Sequence, residues 1–427
     1  MAADDRHVVI IGGGIAGLST GWFLARGGAK VTILEARTIG SGSSFANGGW
    51  LCPAQAGPLA EPGLTLFAMR SFLQRSSPLY ISPRYLPHAA SWFLQFRRYC
   101  TPAAYEHGMS AIARLGLDTF RLVEEWQRAG VEFEIYKQGM IYAARDEASA
   151  AAALAGLQPM REFGYLLPDA LMLRDELHEF EPALSSAISA GFLIEEHWHV
   201  RSDSLMAGLA EWLRERGNEI VEGAEVTAVN VSPTGRVLSV DTPVASYEAD
   251  DFLFTTGSWT EAMDQLPGPR IPIEAGKGYS FAVRPTVMPR HAVLLTDVHV
   301  GCTPFDGFLR IGGTMEFSGV NRHIDRRRVQ TIVTGAKASF QPFADDQITQ
   351  LWTGPRPITP DGLPVVGRAP GTRNAYIGNG HAMQGVSLSP GSGRALARLI
   401  LTGELDEVLV PFDPGRFRRG VLTRRAG

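Results

Sequence analysis

A glycine-rich segment near the start of the chain constrains the fold more than any other feature. Residues 8–11 form a continuous apolar, β-branched run, as expected of a parallel strand that is buried on both faces. Gly12, Gly14 and Gly17 follow with the spacing G-x-G-x-x-G, and residues 15–26 then carry apolar side chains at helical intervals. This pattern predicts a strand, a tight turn and a helix, the arrangement that holds the pyrophosphate of a dinucleotide at a helix N-terminus.

Each glycine has a separate role in that prediction. Gly12 permits the turn, Gly14 lets the backbone approach the phosphates, and Gly17 lets the helix lie close to the strand. A second strand, residues 30–34, leads into Glu35, whose carboxylate can accept hydrogen bonds from the adenosine ribose. A purely structural glycine turn is the alternative, but strand, glycines, helix, strand and acid in one register favour a dinucleotide site.

Composition excludes several classes of function. The 427 residues exceed what one core usually supports, so two domains or one large α/β unit are expected. With 40 basic and 44 acidic residues the net charge is −4, which argues against nucleic acid as a partner. Cys52, Cys100 and Cys302 are far apart and form no metal-ligand pattern, so we expect no metal and a reducing compartment.

The first residues and the hydropathy pattern bear on location. Residues 2–5 are acidic and short where a signal peptide would carry a basic region, and no run of 18 apolar residues occurs. We therefore expect a cytoplasmic protein, either free or peripheral on the inner face of the membrane. Residues 83–99 predict a helix with a broad aromatic face that either packs into the core or contacts a membrane or partner.

Further elements follow in the second half of the chain. A helix is predicted over 202–216, strands over 219–221 and 225–229, and a buried strand over 251–259 that ends in a small-residue turn. That late strand either brings backbone up to a cofactor or is an ordinary strand end.

The C-terminal region repeats the opening pattern. A strand over 375–378 leads into a glycine-rich loop, residues 379–385, and a helix that starts near residues 389–393 and runs through Leu399. A helix N-terminus after a glycine loop binds anions, so both chain ends are expected to build one site.

Taken together, these segments resemble the D-amino-acid oxidase superfamily of flavoproteins, and most closely its bacterial D-amino-acid dehydrogenase small-subunit type. The resemblance covers nearly the whole chain. The segments that carry it are the glycine fingerprint with Glu35, the loop at 40–44, "SSFANGG" at 43–49, "EPAL" at 181–184, "TTG" at 255–257, "KGYS" at 277–280, "RIGGTMEFSG" at 310–319, "WTGPRPITPDGLPVVG" at 352–367 and "GNGHAMQG" at 378–385.

The resemblance implies an α/β (α+β overall) fold. A Rossmann-like FAD-binding domain of the glutathione-reductase type, residues 1–85, 196–268 and 345–427, would interleave with a mixed-sheet substrate domain, residues 86–195 and 269–344. Since members with covalently attached flavin use a late cysteine and this chain has none after Cys302, non-covalent FAD is expected. By family position the FAD would contact Gly12, Gly14, Ile15, Ala16, Gly17, Glu35, Ala36, Arg37, Ser43, Ser44, Val226, Gly257, Gly380, Gly385, Val386 and Ser387.

The implied reaction is hydride transfer from the α-carbon of an amino acid, a D-amino acid in particular, to flavin N5, with hydrolysis of the resulting imine to a 2-oxo acid. Arg356 in the "RP" motif would hold the substrate carboxylate, because a guanidinium can bind both oxygens; a structural arginine in a surface loop is the alternative. Tyr279 is a candidate second carboxylate contact or lid residue, and core packing is the alternative. His381 is a candidate catalytic residue, or bonds only to the backbone.

Alternatives to this function stay open. D-Proline, hydroxyproline, sarcosine or glycine could be the substrate, although glycine oxidases place an arginine near the position of Met383, which disfavours that identity. A non-catalytic flavin-binding subunit of a complex is a rival of another class. The electron acceptor is oxygen or a quinone of the respiratory chain, and residues 50–110 shape either the pocket or a docking surface.

Overall fold

The computed structural model describes residues 6–64, 77–344 and 347–419. Residues 2–5, on which the expectation about a signal peptide rests, lie outside these ranges. Among the described residues, no helix combines the length and the apolarity that are needed to span a bilayer.

The strands alternate with helices in the first third and dominate the middle of the chain. The strands are β1 (His7–Ile11), β2 (Lys30–Glu35), β3 (Trp50–Leu51), β4 (Leu79–Ile81), β5 (Ile135–Tyr136), β6 (Met140–Ala144), β7 (Met172–Leu173), β8 (Ala190–Ile194), β9 (Trp198–Val200), β10 (Glu219–Glu222), β11 (Ala228–Val231), β12 (Val237–Asp241), β13 (Ser246–Glu248), β14 (Asp251–Phe254), β15 (Glu274–Val283), β16 (Ala292–Leu295), β17 (Val300–Phe305), β18 (Phe308–Phe317), β19 (Thr349–Ile358), β20 (Val365–Arg368) and β21 (Ala375–Asn379).

The helices are α1 (Ile15–Arg26), α2 (Leu86–Tyr99), α3 (Pro102–Gly116), α4 (Thr119–Arg128), α5 (Glu147–Leu157), α6 (Arg174–Phe180), α7 (Ser202–Glu215), α8 (Arg326–Ser339) and α9 (Gly385–Thr402). Short 3-10 helices cover Gln158–Phe163, Met263–Gln265, Glu407–Phe412 and Pro414–Arg419.

One sheet has six strands in the order β10-β2-β1-β14-β21-β20. All neighbours pair in parallel except β20 and β21. Ile10 on the central strand β1 pairs with Ile33 on β2 and with Leu253 on β14, and all three side chains are buried. The continuous apolar runs thus form strands that are covered on both faces, as the sequence predicts.

The second sheet has nine strands, with β19-β15-β18-β17-β16-β6-β8-β7 in order and β4 paired to β18. It mixes parallel and antiparallel pairs, which confirms the predicted mixed α/β architecture. β4 and β19 join this sheet although the predicted boundaries place them in the cofactor-binding segments. The assignment to two domains stays a prediction.

The two chain ends pack together through α1 and α9. The Ser19 hydroxyl donates to the Ser389 carbonyl at 2.7 Å, and a Cβ at Gly393 would lie only 2.6 Å from Ser19 Oγ. Small residues therefore let the last long helix approach the first.

Several predicted elements need correction at their ends. α9 begins at Gly385 rather than near residues 389–393, with Pro390 inside its second turn. The strand predicted over 225–229 occupies Ala228–Val231. α2 begins at Leu86 rather than residue 83, and its Trp92 and Phe96 stack at 5.1 Å in a buried cluster. Core packing of that aromatic face is confirmed, whereas a membrane contact stays a prediction.

Candidate active site

The turn between β1 and α1 depends on two glycines. Gly12 has φ +111°, and a Cβ there would lie 2.5 Å from the Thr255 carbonyl oxygen at the end of β14. A Cβ at Gly17 would collide with the Gly12 carbonyl and lie 2.8 Å from Thr255 Oγ1. The structure therefore confirms the predicted roles of both residues, tight turning and close approach of helix to strand.

The N-terminus of α1 forms a cradle for an anion. The first turn contains no acidic residue, and Gly14, in extended conformation, is its N-cap. The backbone N–H of Ile15 donates to Ser44 Oγ at 3.1 Å, which brings the loop at 40–44 against the helix end. Unpaired N–H groups and the positive end of the helix dipole at this position suit a pyrophosphate.

Glu35 ends β2 beside this turn and faces the same cavity. Its Oε2 accepts from the Gly13 N–H at 2.8 Å, and its Oε1 accepts from the Arg37 N–H at 3.0 Å. The carboxylate is thus oriented by the glycine loop on one side and by its own turn on the other. Remaining lone pairs can accept ribose hydroxyls, the role that the sequence predicts.

A cavity of about 1950 Å³ runs from this turn to the nine-stranded sheet. Typical small-molecule sites measure roughly 300–1,000 Å³, so this one has room for a dinucleotide together with a substrate. Of the predicted cofactor residues, those that line it are Gly12, Gly14, Ile15, Ala16, Glu35, Ala36, Arg37, Ser43, Ser44, Val226, Gly257, Gly385 and Val386. The glycine turn, the N-terminus of α1, the carboxylate of Glu35 and the volume of the cavity together fit FAD.

Three predicted cofactor residues are not among the described lining residues. Gly17 packs α1 on β1, and a Cβ at Gly380 would meet Thr359 and Val365 behind the cavity wall. The Ser387 hydroxyl donates to the Trp50 carbonyl and accepts from the Cys52 N–H, so it fastens α9 to β3. None of these three residues is therefore placed where it would contact a cofactor in the cavity.

Arg356 lies on β19 and extends over β15 into the cavity, so the surface-loop alternative is wrong. A Cβ at Gly278 would lie 2.5 Å from Arg356 Cζ, so the guanidinium rests where a side chain at 278 would be. Its Nη1 donates to the Thr314 carbonyl at 3.0 Å. Among the described residues no carboxylate lies within ion-pair distance of it, and burial lowers the pKa of Arg356 to about 10. A desolvated cation without an anionic partner is suited to bind one.

Tyr279 borders the cavity as Arg356 does, but its hydroxyl points away from the guanidinium. Side chains alternate along a strand, and the Tyr279 hydroxyl donates to Glu316 Oε2 at 2.7 Å on the opposite face of β15 from the guanidinium. The proposed carboxylate contact does not fit this geometry, whereas the packing alternative does, since Tyr279 is 1% exposed in the core behind the sheet.

His381 lines the cavity at the start of the loop before α9. Its Nε2 hydrogen-bonds to Ser392 Oγ at 3.0 Å, and burial lowers the pKa of His381 to about 4. The imidazole is therefore neutral near pH 7 and a weak proton acceptor. A catalytic role for it stays a prediction.

The N-terminus of α9 also reaches the cavity. It lies at Gln384 and Gly385, ahead of the predicted start near residues 389–393, so its positive end is closer to the cavity than expected. The Gln384 side chain donates to the carbonyl of Gln55, which ties the C-terminal loop to the Pro-rich segment.

Described parts of the 50–110 region shape the outer cavity. Residues 57–59 and 61–64 line it together with several α2 residues, including Trp92 and Phe93, next to Met315 and Phe317 on β18. The question of whether this region forms pocket or docking surface is thus answered for these residues in favour of the pocket.

Sequence reasoning missed Gly278 and Thr314, the two positions that set the place of Arg356. The motif "KGYS" contains Gly278, but nothing in it shows that a guanidinium lies above it. Thr314 has φ +63°, a conformation that threonine rarely adopts and that no local pattern predicts.

Comparison with known proteins gives a consistent result. A family model described as FAD dependent oxidoreductase (DAO) matches residues 7–399. A D-amino acid dehydrogenase of Rhizorhabdus wittichii is 30% identical over 403 residues, covering 92% of this chain and 95% of that protein. A D-amino acid dehydrogenase of Cereibacter sphaeroides is 30% identical over 403 residues, covering 92% of this chain and 91% of that protein.

Solved structures share the fold. L-proline dehydrogenase from P. horikoshii has a TM-score of 0.75 at 21% identity, covering 98% of this chain and 100% of that chain. Glycine oxidase from Geobacillus kaustophilus has a TM-score of 0.73 at 23% identity, covering 99% and 100%.

Proposed function

The chain belongs to the FAD dependent oxidoreductase (DAO) family, and on that premise we propose that it oxidises amino acids, D-amino acids in particular, to 2-oxo acids. The curated relatives at 30% identity, which are named D-amino acid dehydrogenase, support the substrate class. The single observation that carries the proposal is Arg356, a half-buried guanidinium that faces the cavity without a carboxylate partner among the described residues.

The chain's own residues bind and orient the substrate. The Arg356 guanidinium, with one N–H already held by the Thr314 carbonyl, offers its remaining N–H groups to the two oxygens of a carboxylate. Binding there fixes the α-carbon relative to the cavity wall and excludes water from the charged pair. FAD, when bound, supplies the redox chemistry by accepting the hydride of the α-carbon.

Proton handling needs no strong base on the protein. The cavity residue His381 is neutral and weakly basic. We infer that the substrate amine enters unprotonated and that its nitrogen lone pair assists loss of the hydride. The imine that results is hydrolysed by water to the 2-oxo acid and ammonia. An acyclic secondary amine releases a primary amine in place of ammonia, and a cyclic one such as proline opens to an amino-2-oxo acid.

Anaerobic reduction of the bound flavin tests the proposal. We would mix the holoprotein with D- and L-alanine, D- and L-phenylalanine, D-proline, sarcosine and glycine, and follow the visible flavin absorption. D-Alaninamide, which replaces the carboxylate by a neutral amide, is the matched control for D-alanine.

We expect at least one D-amino acid to bleach the flavin much faster than its L-enantiomer and faster than the amide. Bleaching by sarcosine or proline alone would support the secondary-amine alternative, and a flavin that no compound reduces would support a non-catalytic subunit. Re-oxidation of the reduced protein by oxygen or by a soluble quinone then identifies the acceptor class.

A further inference from the structure

β18 contains a bulge at the point where it meets Arg356. Its residues Gly313 and Glu316 pair with Tyr279 and Lys277 on β15, so three steps along β18 oppose two along β15. Thr314, inside the bulge, has φ +63°. Such backbone persists only where its surroundings hold it in place.

The bulge changes which side chains face the cavity. Beyond it, Met315 lies on the cavity side next to Gly276, whereas Glu316 lies behind the sheet with Lys277. A one-residue slip of the alternation produces this exchange. The same bulge directs the Thr314 carbonyl to Arg356 Nη1 at 3.0 Å.

Glu316 is the centre of a buried polar network behind the sheet. It is 5% exposed, and its Oε1 lies 2.9 Å from the Nζ of Lys277, which is 1% exposed. Its Oε1 also accepts from Ser318 Oγ at 2.6 Å, and its Oε2 accepts from the Tyr279 hydroxyl at 2.7 Å. These bonds lower the pKa of Glu316 against the effect of burial, so the carboxylate is ionised.

Neighbouring groups fix the strand segment just after the bulge. Arg328 on α8 donates to the Ser77 and Pro78 carbonyls at 3.0 Å each, and its Nε lies 3.7 Å from Glu316 Oε2. The Met315 N–H donates to the Pro78 carbonyl at 2.7 Å. The backbone on the far side of Thr314 is therefore held both from behind and along its edge.

We propose that Glu316 is a positioning residue for Arg356. Glu316 lies on β18 just after the bulge and binds Lys277 and Tyr279 on β15, so it fixes the bulge in place. The Thr314 carbonyl in that bulge accepts from the Arg356 guanidinium and thereby directs it into the cavity. Glu316 itself touches neither the cavity nor the substrate. The inference rests on the proposed function in one respect, namely that the substrate carboxylate binds at Arg356.

The test compares Glu316→Gln with Arg356→Ala and with the double variant, each as FAD-loaded protein. Flavin reduction is measured with D-alanine and with D-alaninamide, so that KM and kcat are obtained for both. Glu181→Gln is the matched control, since Glu181 is a fully buried carboxylate outside the cavity lining, with its Oε2 3.0 Å from His291 Nδ1.

We expect Glu316→Gln to lower kcat/KM for D-alanine by roughly 10- to 100-fold, mainly through KM, because a small displacement of a binding group has effects of this order. With D-alaninamide, kcat/KM should change by no more than about 2-fold. With D-alanine, the double variant should lose no more kcat/KM than Arg356→Ala alone, because Glu316 acts only through Arg356. Glu181→Gln should not change the ratio of kcat/KM for D-alanine to kcat/KM for D-alaninamide.

Tyr279→Phe provides a second variant if Glu316→Gln does not fold. It removes one hydrogen bond to Glu316 and leaves no charge unpaired, and we expect the same selectivity for the carboxylate with a smaller loss.

Equal losses with D-alanine and D-alaninamide, a full further loss in the Arg356→Ala background, or no loss would each overturn the positioning role. If Arg356→Ala discriminates between the two compounds and Glu316→Gln does not, the positioning role alone is wrong. If Arg356→Ala does not discriminate either, the proposed carboxylate site is wrong, and this role with it.

Discussion

The guanidinium of Arg356 lies against Gly278, and a Cβ at that glycine would be 2.5 Å from Arg356 Cζ. We predict that Gly278→Ala folds and retains FAD, because the group it displaces is the far end of a flexible side chain. It should nevertheless lower kcat/KM for D-alanine by about 10-fold or more, since the displaced guanidinium no longer meets the carboxylate. Gly156→Ala, at a position with no heavy atom within 4 Å of the added Cβ, is the control and should have no effect. Normal kinetics for Gly278→Ala would contradict the placement of Arg356.

Removal of the cation itself should have a larger effect. Loss of one member of a partly dry ion pair costs on the order of 2–5 kcal/mol, so Arg356→Ala should keep its flavin spectrum but lose about 10²-fold or more in kcat/KM. Arg356→Lys should recover only part of the activity, because an ammonium cannot bind both carboxylate oxygens in the same way. D-Alaninamide should be a poor substrate that loses little more in the variant. Equal losses for both compounds would assign Arg356 to the fold or the flavin.

Glu35→Ala should weaken FAD binding by roughly 1.5–3 kcal/mol, the usual range for hydrogen bonds to a charged group. The structure adds a reason, because the carboxylate also fixes the N–H groups of Gly13 and Arg37. Titration of apoprotein with FAD measures the change. Glu248→Ala, at an exposed acidic residue outside the cavity lining, is the control and should bind FAD as the parent does. Unchanged affinity in Glu35→Ala would mean that the ribose binds elsewhere.

FAD should leave intact when the protein is precipitated with acid or heat. The cavity contains one described cysteine, Cys52, and burial raises the pKa of its thiol to about 12, so little nucleophilic thiolate is present. The yellow supernatant and its FAD content are the measurements. Flavin that stays with the denatured chain would contradict the prediction, and Cys52→Ser would then show whether this residue holds it.

Stability should fall as the pH is lowered from about 6.5 to 4. Burial lowers the pKa of His197 from 6.5 to about 3 and those of His199 and His381 to about 4. In this window the unfolded chain binds protons that the folded chain does not, so each histidine contributes a loss of about 1.4 kcal/mol per pH unit. This stabilisation is fully present above pH 6.5.

His197 offers the cleanest test of that slope, because neither of its ring nitrogens has a hydrogen-bond partner in the described part of the chain. His197→Leu should reduce the pH dependence of the unfolding free energy by one proton and cost little at pH 7.5. Denaturant titrations at several pH values measure both quantities. An unchanged slope would show that His197 is protonated in the folded state.

The sequence predicts the local parts of the cofactor site well, for physical reasons. β1, the glycine turn, α1 and β2 are consecutive, so hydrophobic period and glycine spacing suffice to place them. That β14 and β21 complete the same sheet depends on pairing across about 240 residues (β1 with β14) and about 120 residues (β14 with β21), on which local periodicity carries no information.

The substrate end of the cavity was predicted less completely. The "RP" motif identifies Arg356, but the neighbours that fix it come from two other strands. The positive φ of Thr314 and the exchange of faces after it arise from a bulge, which has no signature in residue type here. For the same reason Tyr279 could not be assigned to a face of β15 before the pairing of that strand was known.

The position of β21 between β14 and β20 has a consequence for biosynthesis. A ribosome completes β1, α1, β2 and β14 before it reaches residue 375, so the edge of β14 stays unpaired while about 120 further residues are translated. The growing polypeptide thus carries half of a nucleotide pocket whose other half is among the last segments translated. We expect chains truncated at residue 370 not to retain FAD, and flavin capture by such a fragment would contradict this order. We therefore expect FAD to bind only after the ribosome has translated the C-terminal segment that completes the pocket.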